Sequence, residues 1–241
     1  MLSEEIRARM AENVAQIRQK MAEAAKEAGR DPAEIQLCAA CKTRTVEEVR
    51  ASADLAIDLF GENHVQELVE KTDAGAYAGK PGHFIGHLQT NKVNKVVGRA
   101  AMIESVDSAR LLDKVARAAA GRGLVQDILI EINIGEEASK SGVREDDLWA
   151  LLEDAAARPS VRLRGLMAIP PAEAAPDETR AFFARMRELL AKAAGRHYEN
   201  AVMDTLSMGM SGDYPAAIRE GATIVRIGTA IYGARDYSKK G

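Results

Sequence analysis

The sequence predicts a single (β/α)8 barrel of the TIM type, with one extra helix at its N-terminus. Three observations lead there. Apolar, strand-like runs alternate with helix-like stretches along the whole chain, giving eight strands. No composition break or long linker divides the 241 residues, a length that suits one large α/β unit spanning 1–241. The polar residues that interrupt the strands fall at their C-terminal ends, the rim on which barrels carry function. Strict alternation makes a parallel sheet with crossover helices. The alternative is an open doubly wound sheet; its dinucleotide-binding version is weakened because no GxGxxG turn follows the first strand.

The elements follow in order. Residues 3–28 read as a helix, with Ile6, Met10, Val14, Ile17 and Met21 on one face, stopped by Gly29 and Asp31-Pro32. This leading segment, 1–30, should pack on the barrel. Ile35 to Cys41 is a buried strand in which Cys38, Ala40 and Lys42 share one face and Leu37, Ala39 and Cys41 the other. Thr45 caps a helix that carries Glu47 and Glu48 in its first turn and runs to Ser52. Ala56 to Phe60 is a strand closed by Gly61, and Glu62 to Asp73 a helix. The alternation continues with a strand at His83–Gly86, a helix at Thr90–Val97, a strand at Met102–Ser105 and a helix at Ser108–Ala120. Ile128–Ile134 is the strongest strand; Arg144–Ala157 is helix and Val161–Ile169 strand. Pro176 opens a long helix to Ala194, Ala201–Met208 is a strand, and Tyr214–Glu220 a short helix. Thr223–Ile227 is the last strand, and Ser238 to Gly241 a frayed end.

Composition removes several functions. At 46% hydrophobic and 29% charged, with a net charge of −3, the chain lacks the basic excess of a nucleic-acid binder. No apolar run approaches the roughly 18 residues of a membrane span. The N-terminus is charged and amphipathic, unlike a signal peptide. With two cysteines there is no disulfide framework, and a reducing, cytoplasmic setting is expected. Cys38-Ala-Ala-Cys41 matches CxxC formally, but an offset of three on a strand puts the thiols on opposite faces. His83 and His87 have the spacing of a helical metal pair, yet they fall on a strand and its following turn, so no metal site is expected. His197 reads as a solvated loop residue. Ser207 has no Ser-His-Asp context and no G-x-S-x-G elbow.

The strand ends supply the candidates. Lys42 ends the first strand, where an ammonium is costly unless paired or performing chemistry; otherwise it is the first solvated residue after the strand. Ser207-Met208-Gly209-Met210-Ser211-Gly212 and Arg226-Ile227-Gly228-Thr229 end the last two strands with glycines and hydroxyls. Each is either a tight connection or half of a phosphate site of the kind barrels hold after strands seven and eight. A lysine on strand one facing such a site suggests an aldehyde cofactor held at both ends, and pyridoxal phosphate fits. Imine formation needs the neutral amine, which burial and a nearby cation favour. Arg226 shares parity with Ile224 and Gly228 and should face the barrel interior with them.

The stretches CKT (41–43), GENHVQEL (61–68), HFIGHLQTNK (83–92), ESVDS (104–108), GEEASKSG (135–142), GLMAIP (165–170), LSMGMSGDY (206–214) and RIGTAIYGARDY (226–237) carry a resemblance that covers nearly the whole chain. It is to the pyridoxal phosphate homeostasis protein family. The resemblance implies a barrel like the N-terminal domain of bacterial alanine racemase. It implies a cytoplasmic protein that binds pyridoxal 5′-phosphate as a lysine Schiff base and buffers or delivers it without evident catalysis. Residue by residue, Lys42 matches the Schiff-base lysine. Ser207 and the Met208-Gly209 backbone match one side of the phosphate site, and Gly228 and Thr229 the other. Arg226 matches the arginine beside the pyridine nitrogen, and Asn63 and Met167 match positions lining the ring. Cys41, His64 and Gly82 depart from the residues usual at their positions. Expected partners are the cofactor and the apo-enzymes that depend on it, with no nucleic acid and no membrane. The second function class is a small pyridoxal-phosphate amino-acid racemase or decarboxylase. Two-base racemisation needs a group on each cofactor face, and the chain ends soon after its final strand, so the carrier and a monomer are expected. A third reading is a phosphate-binding barrel without a Schiff base. Lys140 is expected in a solvated loop.

Overall fold

The structure is a computed structural model that describes residues 2–137 and 140–233. Eight strands form one closed parallel barrel in sequential order. They are β1 (Gln36–Ala40), β2 (Leu59–Glu62), β3 (Gly82–Phe84), β4 (Met102–Val106), β5 (Gln126–Ile132), β6 (Val161–Ala168), β7 (Ala201–Ser207) and β8 (Ile224–Ile227). Closure comes from β1 pairing with β8 through Gln36–Ile224 to Ala39–Ile227. The crossover helices are α2 (Val46–Ser52), α3 (Val65–Asp73), α4 (Val93–Val96), α5 (Ala109–Ala120), α6 (Glu145–Ala156), α7 (Pro176–Ala194) and α8 (Tyr214–Arg219), with α9 (Thr229–Tyr232) after the last strand. The leading helix α1 (Glu4–Glu27) lies on the outside, against α8, α9 and α2. Its buried face is Met10, Val14, Ile17 and Met21, as the spacing requires. Asn13 ties it to the Ile231 carbonyl at 2.9 Å and Arg18 to Asp58 at 2.6 Å.

Most of the hydrophobic core lies between the barrel and its helices, where Leu37, Ala39, Cys41, Phe60, Phe84, Ile128 and Ile130 are all buried. The inward residues form separate, smaller apolar groups, Cys38 with Leu59 and Ile224, and Met102 with Leu129 and Met167. The two cysteines therefore sit on opposite sides of the wall, both buried and both reduced.

Several boundaries differ from the sequence reading. Gly61 does not close β2 but lies within it, because a Cβ there would meet Cys38 Sγ and Ile85 Cδ1, each at 2.7 Å. The barrel interior is too narrow for a side chain at that level. β2 consequently runs on to Glu62, and α3 starts at Val65 behind an extended His64. The expected helix over 90–97 divides into a 3-10 turn (Thr90–Lys92) and α4. β1 stops at Ala40, which leaves Lys42 in the turn beyond it. The tail 238–241 lies outside the described residues.

Candidate functional site

Alternation along β1 turns Cys38 into the barrel and Leu37 and Ala39 out of it. Lys42, in phase with Cys38 and Ala40, emerges half-buried on the inner rim. There it lines a cavity of about 220 Å³ with Ala40, Arg44, Met210, Ser211, Gly212, Arg226, Gly228 and Thr229. Strand one and the loops after strands seven and eight thus face one another across a single space.

The two loops are shaped by their glycines. Gly209 has φ +93°, and a Cβ on it would lie 2.6 Å from Ala217 Cβ, so the chain turns tightly against α8. A Cβ on Gly228 would lie 2.9 Å from the Ala40 carbonyl oxygen, which keeps that part of the rim open beside β1. Asp213 accepts from Met210 N at 2.6 Å, and Ser211 Oγ accepts from Ala230 N at 3.4 Å, so the loops brace each other. The Met208 N–H donates to the Ile224 carbonyl, and its side chain lies in the outer core.

Arg226 is where strand parity put it, inside the barrel, with only 4% of its surface exposed. Its guanidinium donates to Ser207 Oγ at 2.5 Å and to the Ala168 carbonyl at 2.9 Å. The Ser207 hydroxyl donates onward to Glu104 Oε2 at 2.5 Å, and His83 Nδ1 lies 2.7 Å from Glu104 Oε1. Burial pushes the Glu104 carboxyl up. The His83 hydrogen bond and charge, then the Arg226 charge and the Ser207 bond, outweigh burial and hold it below the usual carboxylate range. Glu104 also stands 3.9 Å from Arg226, which gives that buried cation a counter-charge.

The remaining candidates lie around this centre rather than on the cavity wall. Ser207 is fully buried, with its hydroxyl engaged between Arg226 and Glu104. Met167 belongs to the interior group with Met102 and Leu129. Asn63 lines a separate cavity of about 220 Å³ with His64, His87 and Gln89. Its Oδ1 is buried with no hydrogen-bond partner, an acceptor lacking a donor. Lys140, expected in solvent, donates to the Pro170 carbonyl at 3.2 Å and pairs with Glu137 at 2.5 Å. Among the described residues, no group of three or more His, Cys, Asp or Glu is placed to hold a metal ion, and no helix is long and apolar enough to cross a membrane.

Several polar residues of the interior escaped the sequence reading. Glu104 and Glu131 are inward carboxylates within apolar strands, and Glu131 is 7% exposed. Burial, aided by the charge of Asp107 and opposed by Arg226, pushes the Glu131 carboxyl up to about 7. The available signal was a charge flanked by apolar residues, Glu104 inside MIESV and Glu131 near the end of QDILIEI.

A cavity lined by an amine, two guanidinium groups, hydroxyls and glycine turns fits a small phosphorylated aldehyde. A family model described as "Alanine racemase, N-terminal domain" matches residues 7–236. The chain is 40% identical to the pyridoxal phosphate homeostasis protein of Aquifex aeolicus, over 94% of this chain and 98% of that protein. It is 42% identical to the protein of the same name from Escherichia coli K12, over 96% and 99%. The structure of PipY from Synechococcus elongatus PCC7942, solved with PLP bound, superposes with a TM-score of 0.81 at 32% identity, covering 93% of this chain and all of PipY.

Proposed function

The chain belongs to the pyridoxal phosphate homeostasis protein family, and from that premise we propose that it binds pyridoxal 5′-phosphate through Lys42 and buffers or delivers it, without catalytic turnover. The observation that carries this reading is the composition of the Lys42 cavity. Its described lining offers one amine, two guanidinium groups, hydroxyls and backbone, and no carboxylate, imidazole or phenol. Such a set holds an anionic aldehyde and gives it no second acid or base.

The cofactor, when bound, supplies an aldehyde carbon that an amine can capture reversibly. Lys42, on the wall of the cavity, would supply the neutral amine for that capture, with water as the leaving group and hydrolysis as the reverse. The turns at 209–212 and 228–229 hold the phosphate, with Thr229 and Ser211 supplying hydroxyl donors. Arg226, kept in place by Ser207, Ala168 and Glu104, would face the ring nitrogen and disfavour its protonation. That makes the ring a poor electron sink and suits storage over turnover. Asn63 and Met167 would border the ring. The protein works as a cytoplasmic monomer and a single domain, handing the cofactor to apo-enzymes that require it.

One observation favours the second reading, a small amino-acid racemase or decarboxylase. Glu131, inside the barrel with a carboxyl near 7, can give and take a proton at neutral pH.

The deciding experiment reconstitutes the apo-protein with pyridoxal phosphate. The expected result is visible absorption that borohydride abolishes, with the reduced adduct mapped by mass spectrometry to Lys42 and lost in Lys42→Ala. A colourless protein sinks the reading. The loaded protein is then incubated with amino acids in deuterated water. Absence of catalytic α-proton exchange supports the carrier, and exchange that Glu131→Gln abolishes supports the enzyme.

A further inference from the structure

The turn that carries Lys42 is gripped from outside the barrel by a network that has no place in cofactor binding as described above. On one side of Lys42, the Cys41 N–H donates to the Gly61 carbonyl at 2.8 Å, and the Cys41 carbonyl accepts from Lys71 Nζ at 2.9 Å. On the other side, the Thr43 N–H is held by both Glu67 carboxylate oxygens, at 3.0 and 3.2 Å. Glu67 and Lys71 sit one turn apart on α3 and pair at 3.5 Å. Lys71 is 1% exposed and also binds both oxygens of the fully buried Glu62, at 2.9 and 3.0 Å.

Thr43 itself shows why a grip is required. Its φ is +66°, a left-handed conformation that is unfavourable for a β-branched residue and persists only where the surroundings hold it. With a relaxed φ at Thr43, the chain would leave Lys42 in another direction, and the half-buried amine would no longer enter the cavity it lines with Arg226 and Gly228. The carboxylate on the Thr43 N–H and the ammonium on the Cys41 carbonyl fix the peptides flanking Lys42. Both come from α3, no residue of which lines that cavity.

We infer that Glu67 and Lys71 are positioning residues for Lys42: from the outer face of the barrel wall they fix the turn so that the Lys42 amine reaches the aldehyde carbon. The inference rests on the proposed covalent role of Lys42 and adds the residues that set the rate of that step. Orientation of this kind changes rates steeply, because small displacements of a reacting group are costly.

The test compares wild type, Glu67→Ala and Glu67→Gln, mixed as apo-proteins with pyridoxal phosphate. Two readouts are taken: the rate of visible absorption and the fraction trapped on Lys42 by borohydride. Glu67→Ala should form the adduct about tenfold more slowly. Glu67→Gln, whose amide oxygen can still accept from Thr43, should recover most of that rate. Hydrogen exchange at the Thr43 amide, followed without cofactor, should quicken in Glu67→Ala and be slowed again in Glu67→Gln. A second variant, Glu62→Gln with Lys71→Met, removes the ammonium from the Cys41 carbonyl and should slow the adduct about fivefold. Wild-type rates in Glu67→Ala and in the double variant overturn the inference. Slowing in Glu67→Ala that Glu67→Gln does not recover also overturns it, since a purely electrostatic or structural role would behave that way. If wild type itself forms no adduct on Lys42, the failure belongs to the proposed function instead.

Discussion

Glu104 and Glu62 are both carboxylates with no exposed surface, on strands β4 and β2 of the same barrel, and their proton affinities move in opposite directions. Glu104 points inward, where strands converge, and receives His83 from β3 and Ser207 from β7, with Arg226 of β8 close by. Glu62 points outward, into the layer beneath α3. Lys71 holds both its oxygens, Tyr77 adds a longer bond of 3.3 Å, and Glu67 contributes a like charge. Burial therefore wins at Glu62 and lifts its carboxyl to about 7, against the opposing pull of Lys71. At Glu104 the donors outweigh burial. Burial alone does not set the sign of a carboxyl's shift; the balance of donors and cations against like charges does, and Glu67 supplies at Glu62 a like charge that Glu104 lacks.

The signs can be worked through and tested. A carboxyl held below 4.5 in the folded state contributes stability that is present above that pH and lost as pH falls through the lowered value. A carboxyl raised from 4.5 to about 7 binds more protons folded than unfolded between those values, so stability falls as pH climbs from 4.5 to 7 and the full cost persists above. The largest effect expected is that of Glu104→Gln. It strips the counter-charge from the buried Arg226 and places an amide among hydrogen-bond donors, which should cost about 3–5 kcal/mol at pH 7. Urea and thermal unfolding of the purified variant measure it, with Tm lowered by roughly 10 °C. A loss below about 1 kcal/mol would break the comparison, because the inward network would then be no better a partner than water.

Neither network could be read from the chain, whereas much of the rim could. Lys42, Arg226, Gly228 and Thr229 stand at the ends of β1 and β8, and parity along each of these paired strands is enough to bring them together. Which strands exist, and in what order they close, followed from the same local periodicity. Glu104 meets Ser207 across 103 positions of sequence, a pairing set by barrel closure and invisible to any local pattern. Glu62 and Lys71 are only nine apart, but they join a strand to a helix whose start was placed three residues early. Glycine usually punctuates a strand, so Gly61 reads as a terminator in the sequence; its reason here is steric, and it depends on Cys38 and Ile85 across the interior. The phosphate-like turns were legible as types of residue, while the use of Ser207 as a link from Arg226 to Glu104 was not.

Glu131 sharpens the comparison from the inward side. It shares the barrel interior with Glu104, yet its carboxyl rises to about 7, since Asp107 adds negative charge and Arg226 is committed elsewhere. Two inward carboxylates thus differ for the reason that separates Glu104 from Glu62. Glu131→Gln removes a group that is costly to ionise, and should stabilise the protein by on the order of 1–3 kcal/mol at pH 8. The gain should shrink as pH falls from 7 to 4.5, which denaturant melts at pH 8, 6.5 and 5 will follow. A gain that does not vary with pH would mean that the benefit comes from packing and not from the charge.

The smallest stability effect is expected where two charges are removed together. Lys71→Met alone would leave Glu62 buried without its ammonium, but Glu62→Gln with Lys71→Met replaces the pair by neutral groups of similar volume. Buried ion pairs recover little more than their own desolvation, so the double variant should unfold within about 1 kcal/mol of wild type at pH 7. Its stability should also lose the decline between pH 4.5 and 7 that Glu62 contributes. The same substitution takes the ammonium off the Cys41 carbonyl, and with it half of the grip on the Lys42 turn. Stability and positioning then come apart in one protein. A double variant as stable as wild type that loads its cofactor more slowly would mean that the outer pair is retained for where it puts Lys42. One that loads at the wild-type rate would leave the Glu62–Lys71 pair as a neutral element of packing, and only the inward network as a device of the site.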